Sequence, residues 1–221
     1  MKASIAGQGA ATITVSVSDG QYVVSTNFVV TVTAVTGTIG GRPEISTIVV
    51  PAGTPGFTVQ PPYRKMGWHA SDTHGLVFDD CRVPSEHLLG QRGMGFRAFL
   101  AILDGGRISI GALAVGLAQA ALDASIPYAQ TREQFGRPIG SFQGVAFMIA
   151  DMATEIEASR LLCWQAAWML DNGYGRKATL YSSFAKRFSA DIAMKVATDA
   201  VQIFGGYGYI KEYPVEKLMR D

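Results

Sequence analysis

The chain has 221 residues, 48% of them hydrophobic and 17% charged, with 19 Lys plus Arg against 18 Asp plus Glu. This is a soluble globular composition of one or two domains, and the near-zero net charge argues against a nucleic-acid partner. Cys81 and Cys163 lie far apart, so neither a metal cluster nor a disulfide framework is indicated, and a reducing cytoplasm is expected. Charge or glycine interrupts the apolar stretches, so the sequence predicts no membrane span. The N-terminus does not show charged, apolar and cleavage regions in series, so no signal peptide is predicted.

The first part of the chain has the residue pattern of strands. From about Ala11 to Val83, the segments ATITVSVS, NFVVTVTAV and ISTIVVP are rich in β-formers, and Gly or Pro clusters separate them. We therefore expect a small antiparallel β domain over residues 1–88.

From about Gly93 onward the apolar period becomes helical, and no further strand signal is found. The segments GRPIGS and DNGYG separate three long helices of roughly 25 to 35 residues, and Pro214 begins a short fourth helix. Helices joined by short turns pack antiparallel, so residues 89–221 are expected to form an up-down helical bundle and the fold class is α+β. The expected core positions are Val145, Ile149, Met152, Ile156, Cys163, Ala166, Ala185, Phe188, Ile192, Val196 and Ile203.

The first long helix contains residues that are unusual in helix interiors. Gly111 and Gly116 each cost about 1 kcal/mol relative to alanine, which indicates close helix packing. Pro127 removes a backbone donor and predicts a kink.

Asp104 and Arg107 are three residues apart and so lie on one face of the same helix. The apolar neighbours Leu103, Ile108 and Ile110 predict that the pair is buried, and a buried guanidinium needs a partner or a ligand. From composition alone, a structural ion pair is favoured over a ligand site.

The segment TREQFGRPIGSFQ joins the first two long helices and carries candidate ligand-binding side chains. Arg132, Gln134 and Gln143 offer donors suited to phosphate or nucleobase oxygens, and Phe135 offers a flat apolar face. A polar turn between helices would have a similar composition, so both interpretations stay open.

The closing segment VQIFGGYGYIKEY offers a complementary surface. Gly205 and Gly206 would let a ligand approach backbone N–H groups, and Gln202 can bind an amide or hydroxyl. A glycine-rich helix cap is the alternative, and it is favoured from this segment alone.

Other chemistries have no support in the sequence. His69, His74 and His87 lack the spacing of a metal site, and Cys163 beside Trp164 is typical of an inert core thiol. Neither a nucleophile elbow nor a phosphate loop ending in Gly-Lys-Ser or Gly-Lys-Thr is found.

Five segments in order carry a resemblance to a known family: TPGF at 54–57, KMGWHASDT at 65–73, VFDDCRVPSEHLLG at 77–90, YAQTREQFGRPIGSFQ at 128–143 and QIFGGYGYIKEYPVEKLMRD at 202–221. They resemble the acyl-CoA dehydrogenases, flavoproteins that oxidise an acyl-CoA thioester to its 2,3-enoyl form. The resemblance implies a middle β domain followed by a C-terminal four-helix bundle. It further implies a homodimer or homotetramer with FAD where subunits meet, and an electron acceptor such as an electron-transfer flavoprotein.

The resemblance also implies roles for individual residues. It places Arg132, Gln134 and Phe135 on the diphosphate and adenine side of FAD, across the dimer interface, with Gln143 nearby. Gln202, Gly205 and Gly206 match the Gln-x-x-Gly-Gly element that meets the ADP half of the partner's FAD. Asp104 and Arg107 match positions that face the CoA portion near the thioester.

The implied reaction takes the α-proton with a carboxylate and transfers the Cβ hydride to flavin N5. In most of the family the base is a Glu in a Tyr-Glu-Gly-Thr motif, expected just beyond Asp221; the minority position in the first long helix is Gly106 here. The family's N-terminal helical domain and flavin-ring segment have no counterpart in the sequence. The alternatives are a truncated scaffold without turnover, and an acyl-CoA oxidase or flavin monooxygenase on the same fold.

Overall fold

The computed structural model describes residues 30–33, 38–39, 42–43 and 45–221, and these described residues divide into two compact units between Leu100 and Ala101. The predicted strand ATITVSVS lies outside the described residues. The predicted domain boundary between residues 88 and 89 stays a prediction.

The first unit contains short antiparallel strands, as the alternating pattern predicts. The strands are β1 Val30–Thr33, β2 Thr38–Ile39, β3 Arg42–Pro43, β4 Ser46–Val49, β5 Phe57–Pro62, β6 His74–Phe78 and β7 Leu88–Leu89. The central strand β4 pairs with β1 on one side and β7 on the other, while β2 pairs with β3 and β5 pairs with β6. The described strands therefore form small antiparallel sheets.

A small apolar core lies within this unit. Ile48, Val50 and Cys81 are buried, and the rings of Phe57 and Phe78 stack beside them with centroids 5.0 Å apart. Burial raises the pKa of the Cys81 thiol, because the thiolate would lose its hydration there. Cys81 is thus an unreactive core residue at neutral pH.

Four helices follow, and they match the predicted bundle. They are α1 Gly95–Thr131, α2 Gln143–Asp171, α3 Arg176–Phe204 and the six-residue α4 Val215–Arg220. Pro127 lies inside α1, which continues for another turn to Thr131. There the Thr131 hydroxyl donates a 2.9 Å hydrogen bond to the Pro127 carbonyl oxygen.

The core of the bundle follows the apolar period of the sequence. Most of the predicted core positions are buried or packed against the core. Phe188 is an exception, since 37% of its surface is exposed and its predicted burial is wrong. The residue lies beside the buried face of α3, which is formed instead by small side chains such as Ala185 and Ser189.

Small residues bring the three long helices close together. A Cβ on Gly111 of α1 would lie 2.9 Å from the Cys163 sulfur of α2, so this glycine permits a close helix contact. Nothing lies within 4 Å of the corresponding position on Gly116. The prediction of close packing is therefore confirmed for Gly111 and wrong for Gly116 within this chain.

Helix α1 is also, by length and composition, apolar enough to cross a membrane. The expectation that charge or glycine interrupts every such stretch is therefore not met. In the structure α1 supplies Val115, Ala118, Ala121 and Leu122 to the core of the helical unit. The predicted absence of a membrane span stays a prediction.

Candidate cofactor-binding site

The connection between α1 and α2 is a tight β-hairpin. Strand β8 Glu133–Gln134 pairs with β9 Arg137–Pro138, and Phe135 and Gly136 form the two-residue loop with φ of 54° and 77°. Two consecutive left-handed residues are the signature of a type I′ turn, which matches the twist of the flanking strands. The expectation of no strand after Gly93 is therefore wrong, because two-residue strands are too short to show an alternating pattern.

Phe135 occupies the tip of this hairpin in an unusual state. It is a bulky residue in the left-handed region, and 94% of its surface is exposed. Its ring meets the Phe142 ring edge-on at 6.2 Å. Backbone strain and an exposed aromatic ring at one residue favour a role in ligand binding over one in stability.

Arg132 connects the hairpin to the closing loop of the chain. Its guanidinium lies over the Tyr207 ring at 5.2 Å, while its backbone N–H donates to the Tyr128 carbonyl oxygen at 2.8 Å. The stacking holds the guanidinium plane against an aromatic face and leaves its edge donors available.

An aromatic cluster of Tyr128, Phe204, Tyr207 and Tyr213 supports this arrangement. Tyr128 stacks on Phe204, and Tyr213 packs edge-on against both rings. Tyr207 meets Tyr213 at 5.3 Å. Burial raises the pKa of the Tyr128 hydroxyl, partly opposed by the charge of Arg132. This cluster was not predicted from the sequence, although its residues lie in two of the segments that carry the family resemblance, at 128–143 and 202–221.

The glycine loop leaves α3 through a left-handed residue. Gly205 has φ of 59° and begins a single 3-10 turn that ends at Tyr207. Nothing lies within 4 Å of a Cβ position on Gly205 or Gly206, so the backbone there is open to a ligand. Gln202 on the last turn of α3 and Gln143 on the first turn of α2 are both exposed.

Asp104 and Arg107 form an ion pair with a third partner. The Arg107 guanidinium donates to the Asp104 carboxylate at 2.7 Å, and the Thr179 hydroxyl of α3 donates to the other carboxylate oxygen at 2.8 Å. The pair is half-buried, because the flanking Leu103 and Ile110 are themselves exposed. The predicted burial of the pair is therefore met only in part within this chain, and Thr179 is a partner that sequence spacing could not identify.

The structure thus brings the hairpin and the glycine loop together, whereas the Asp104–Arg107 pair lies in the first half of α1, away from both. Arg107 and Arg132 are 25 residues apart on or just after α1, which corresponds to about 38 Å along the helix. Arg132 has no carboxylate partner among the residues that the structure describes. Its guanidinium, an exposed aromatic ring and an open glycine backbone fit a dinucleotide with a diphosphate. The predicted contacts of individual residues with FAD stay predictions.

Comparison with known proteins gives a consistent assignment. Residues 93–221 match the family model of the acyl-CoA dehydrogenase C-terminal domain. A probable acyl-CoA dehydrogenase of Bacillus subtilis, YngJ, is 51% identical over 193 residues, covering 87% of this chain and 50% of the relative.

Solved structures agree with this match. Butyryl-CoA dehydrogenase from Megasphaera elsdenii has a TM-score of 0.78 at 46% identity, covering 84% of this chain and 48% of that one. A structure described as the electron transferring flavoprotein of Acidaminococcus fermentans has a TM-score of 0.77 at 42% identity, covering 89% of this chain and 56% of that one. The chain spans about half the length of the relatives it matches. It belongs to the acyl-CoA dehydrogenase family.

Proposed function

We propose that this chain is part of an enzyme that catalyses FAD-dependent α,β-dehydrogenation of an acyl-CoA thioester. The observation that carries the proposal is the junction of the hairpin and the glycine loop, where Arg132 lies on Tyr207. Both segments match the family motifs, and their side chains suit a dinucleotide. FAD bound there would supply the hydride acceptor for the reaction.

Each proposed cofactor residue would contact a different part of FAD. Arg132 and Gln134 would donate hydrogen bonds to the diphosphate, and the exposed Phe135 ring would face the adenine. Gln143 and Gln202 would bind polar groups of FAD, Gln143 from the side of the hairpin and Gln202 from the side of the glycine loop. Gly205 and Gly206 would let the ADP half approach the backbone, since no neighbouring atom fills the space above them.

The substrate would lie near the other end of α1. Arg107 is held by Asp104, which Thr179 fixes in turn, so the guanidinium has a defined position for a CoA oxygen near the thioester. The α-proton would be taken by a glutamate that we expect beyond Asp221, since Gly106 provides no carboxylate at the alternative position.

The separation of these two regions supports a site shared between subunits. Hydride transfer requires the flavin ring to touch the acyl group, yet about 38 Å of helix separates Arg107 from the hairpin. An extended FAD is shorter than that distance. We therefore propose that the hairpin and glycine loop bind the FAD whose flavin ring serves a partner subunit's substrate site, in a homodimer or homotetramer.

Exposed apolar side chains on the helices support the same assembly. Trp164 and Trp168 of α2 and Met194 of α3 each expose more than half of their surface in the single chain. Large apolar groups of this kind are typical of covered interfaces. The proposed location is the cytoplasm, and an electron-transfer flavoprotein is the proposed electron acceptor.

The test uses the full-length protein. Purified enzyme should carry FAD, and an acyl-CoA substrate should bleach its flavin absorbance anaerobically, with the enoyl-CoA as product. Arg132→Ala and Gly206→Val should each lose bound FAD, whereas the matched changes Arg187→Ala and Gly116→Val, on exposed parts of α3 and α1, should retain it.

Unchanged flavin content in both site variants would contradict the assignment of this site. Flavin that oxygen reoxidises rapidly during turnover, with formation of peroxide, would instead favour an oxidase. The intact mass of the polypeptide, compared with that of these 221 residues, tests the scaffold alternative.

A further inference from the structure

The hairpin presents three polar side chains on one face. Gln134 pairs with Arg137 in the register, and Ile139 donates its backbone N–H to the Arg132 carbonyl oxygen at 2.8 Å, which extends the pairing by one residue. Opposed residues share a face and successive residues alternate. Arg132, Gln134 and Arg137 therefore lie on one face of the hairpin, while Glu133 lies on the other.

Arg137 is held in the same way as Arg132. Its guanidinium lies 4.1 Å from the centre of the Phe142 ring, as Arg132 lies over Tyr207. Within the part of the chain that the structure describes, neither hairpin guanidinium forms an ion pair with a carboxylate. Arg107 and Arg160, by contrast, each bind a carboxylate of their own chain.

This arrangement suits an anion from outside the chain. An aromatic ring holds a guanidinium in place without occupying its N–H donors, and the fork of donors matches the oxygens of a phosphate. Diagonal positions of a hairpin are about 7–8 Å apart, so both long side chains can reach adjacent phosphates. A diphosphate diester carries two negative charges, one for each guanidinium.

We propose that Arg137 is a second phosphate-binding residue of the cofactor site and binds the FAD diphosphate together with Arg132. The inference rests on the proposed function and adds a residue to it. Phe142 is the positioning residue of Arg137, as Tyr207 is for Arg132.

The test titrates FAD into the apo form of the full-length protein and measures the FAD affinity by flavin fluorescence, at several salt concentrations. Arg137→Gln should weaken FAD binding about tenfold and make its salt dependence shallower, because one charge-assisted contact is lost. Arg137→Lys keeps the charge without the fork and should lose less. Arg187→Gln removes an arginine with 87% of its side chain exposed, and should bind FAD as the unmodified protein does.

Inorganic pyrophosphate provides a second probe, since it contains the diphosphate alone. It should compete with FAD less well in Arg137→Gln than in the unmodified protein, by a similar factor. If Arg132→Ala weakens FAD binding while Arg137→Gln has the same FAD affinity as Arg187→Gln, the proposed role of Arg137 is overturned and the proposed function stands. If neither hairpin variant changes FAD binding, the assignment of the cofactor site to the hairpin fails, and the proposed role of Arg137 fails with it.

Discussion

The Tyr128 hydroxyl donates a 3.3 Å hydrogen bond to the carbonyl oxygen of Phe204, and the two rings stack with centroids 3.9 Å apart. Tyr128 lies one turn before the hairpin, and Phe204 immediately precedes the glycine loop. This contact therefore fixes the two proposed cofactor segments relative to each other. If these segments bind the cofactor as we propose, stability and cofactor binding should be coupled at this point.

We expect Tyr128→Ala to lower the free energy of unfolding by about 2–4 kcal/mol, because it removes a stacked ring from the core. Tyr128→Phe keeps the ring and should cost about 1 kcal/mol for the lost hydrogen bond. Urea denaturation measures both changes. Tyr209→Ala is the control, since 76% of that residue is exposed; an equal loss there would contradict the structural role of Tyr128.

Gly111→Ala should destabilise the bundle by about 1–3 kcal/mol, because the new methyl group would lie 2.9 Å from the Cys163 sulfur. Gly116→Ala should instead stabilise it by up to about 1 kcal/mol, since the space is open and alanine is the better helix former. Denaturant unfolding of both variants gives the comparison. Cys163→Ala in the Gly111→Ala background should recover part of the loss, and strictly additive effects would contradict the predicted clash.

The long helices and most of their buried faces were predictable because the apolar period extends over many turns. Met152, Ile156 and Val196 are buried as expected. The hairpin was not predictable from periodicity, because it contains two residues per strand. Its Phe-Gly loop was the only local signal, and phenylalanine is an unusual residue for a left-handed position.

The candidate site was predictable only in part, for a related reason. The spacing of Asp104 and Arg107 places them on one helix face, but Thr179 reaches them from a distant helix. Tyr128 and Tyr213 are likewise distant in sequence and meet only through packing. The resemblance indicated the proposed cofactor segments, whereas the contacts that hold Arg132 and Arg137 required the folded chain.

Glu216 should contribute a pH-dependent part of the stability. The Arg220 guanidinium donates hydrogen bonds to both carboxylate oxygens, at 2.7 and 3.0 Å, and lowers the pKa of Glu216. A carboxyl group with a lowered folded-state pKa stabilises the fold above its unfolded pKa of about 4.3 and loses that contribution as the pH falls through the folded value.

The unmodified protein should therefore exceed Glu216→Gln in stability at pH 7, and the difference should shrink as the pH falls below about 4.3. Thermal or urea unfolding across this range measures the difference. Glu212→Gln, on the exposed loop before Pro214, is the control. If the stability difference between the unmodified protein and Glu216→Gln stayed constant with pH, the Glu216–Arg220 ion pair would not be its source.

Phe135→Asn should separate stability from cofactor binding. Asparagine adopts the left-handed conformation of this turn more readily than phenylalanine, so the hairpin should gain up to about 1 kcal/mol. The same change removes the ring that we propose faces the adenine, and FAD binding should weaken at least about fivefold. Thermal unfolding of the apo protein and FAD titration measure the two effects. Phe135→Tyr keeps the ring and should retain FAD affinity; if Phe135→Asn retained it as well, the exposed ring would have no part in binding, and its strain would need another cause.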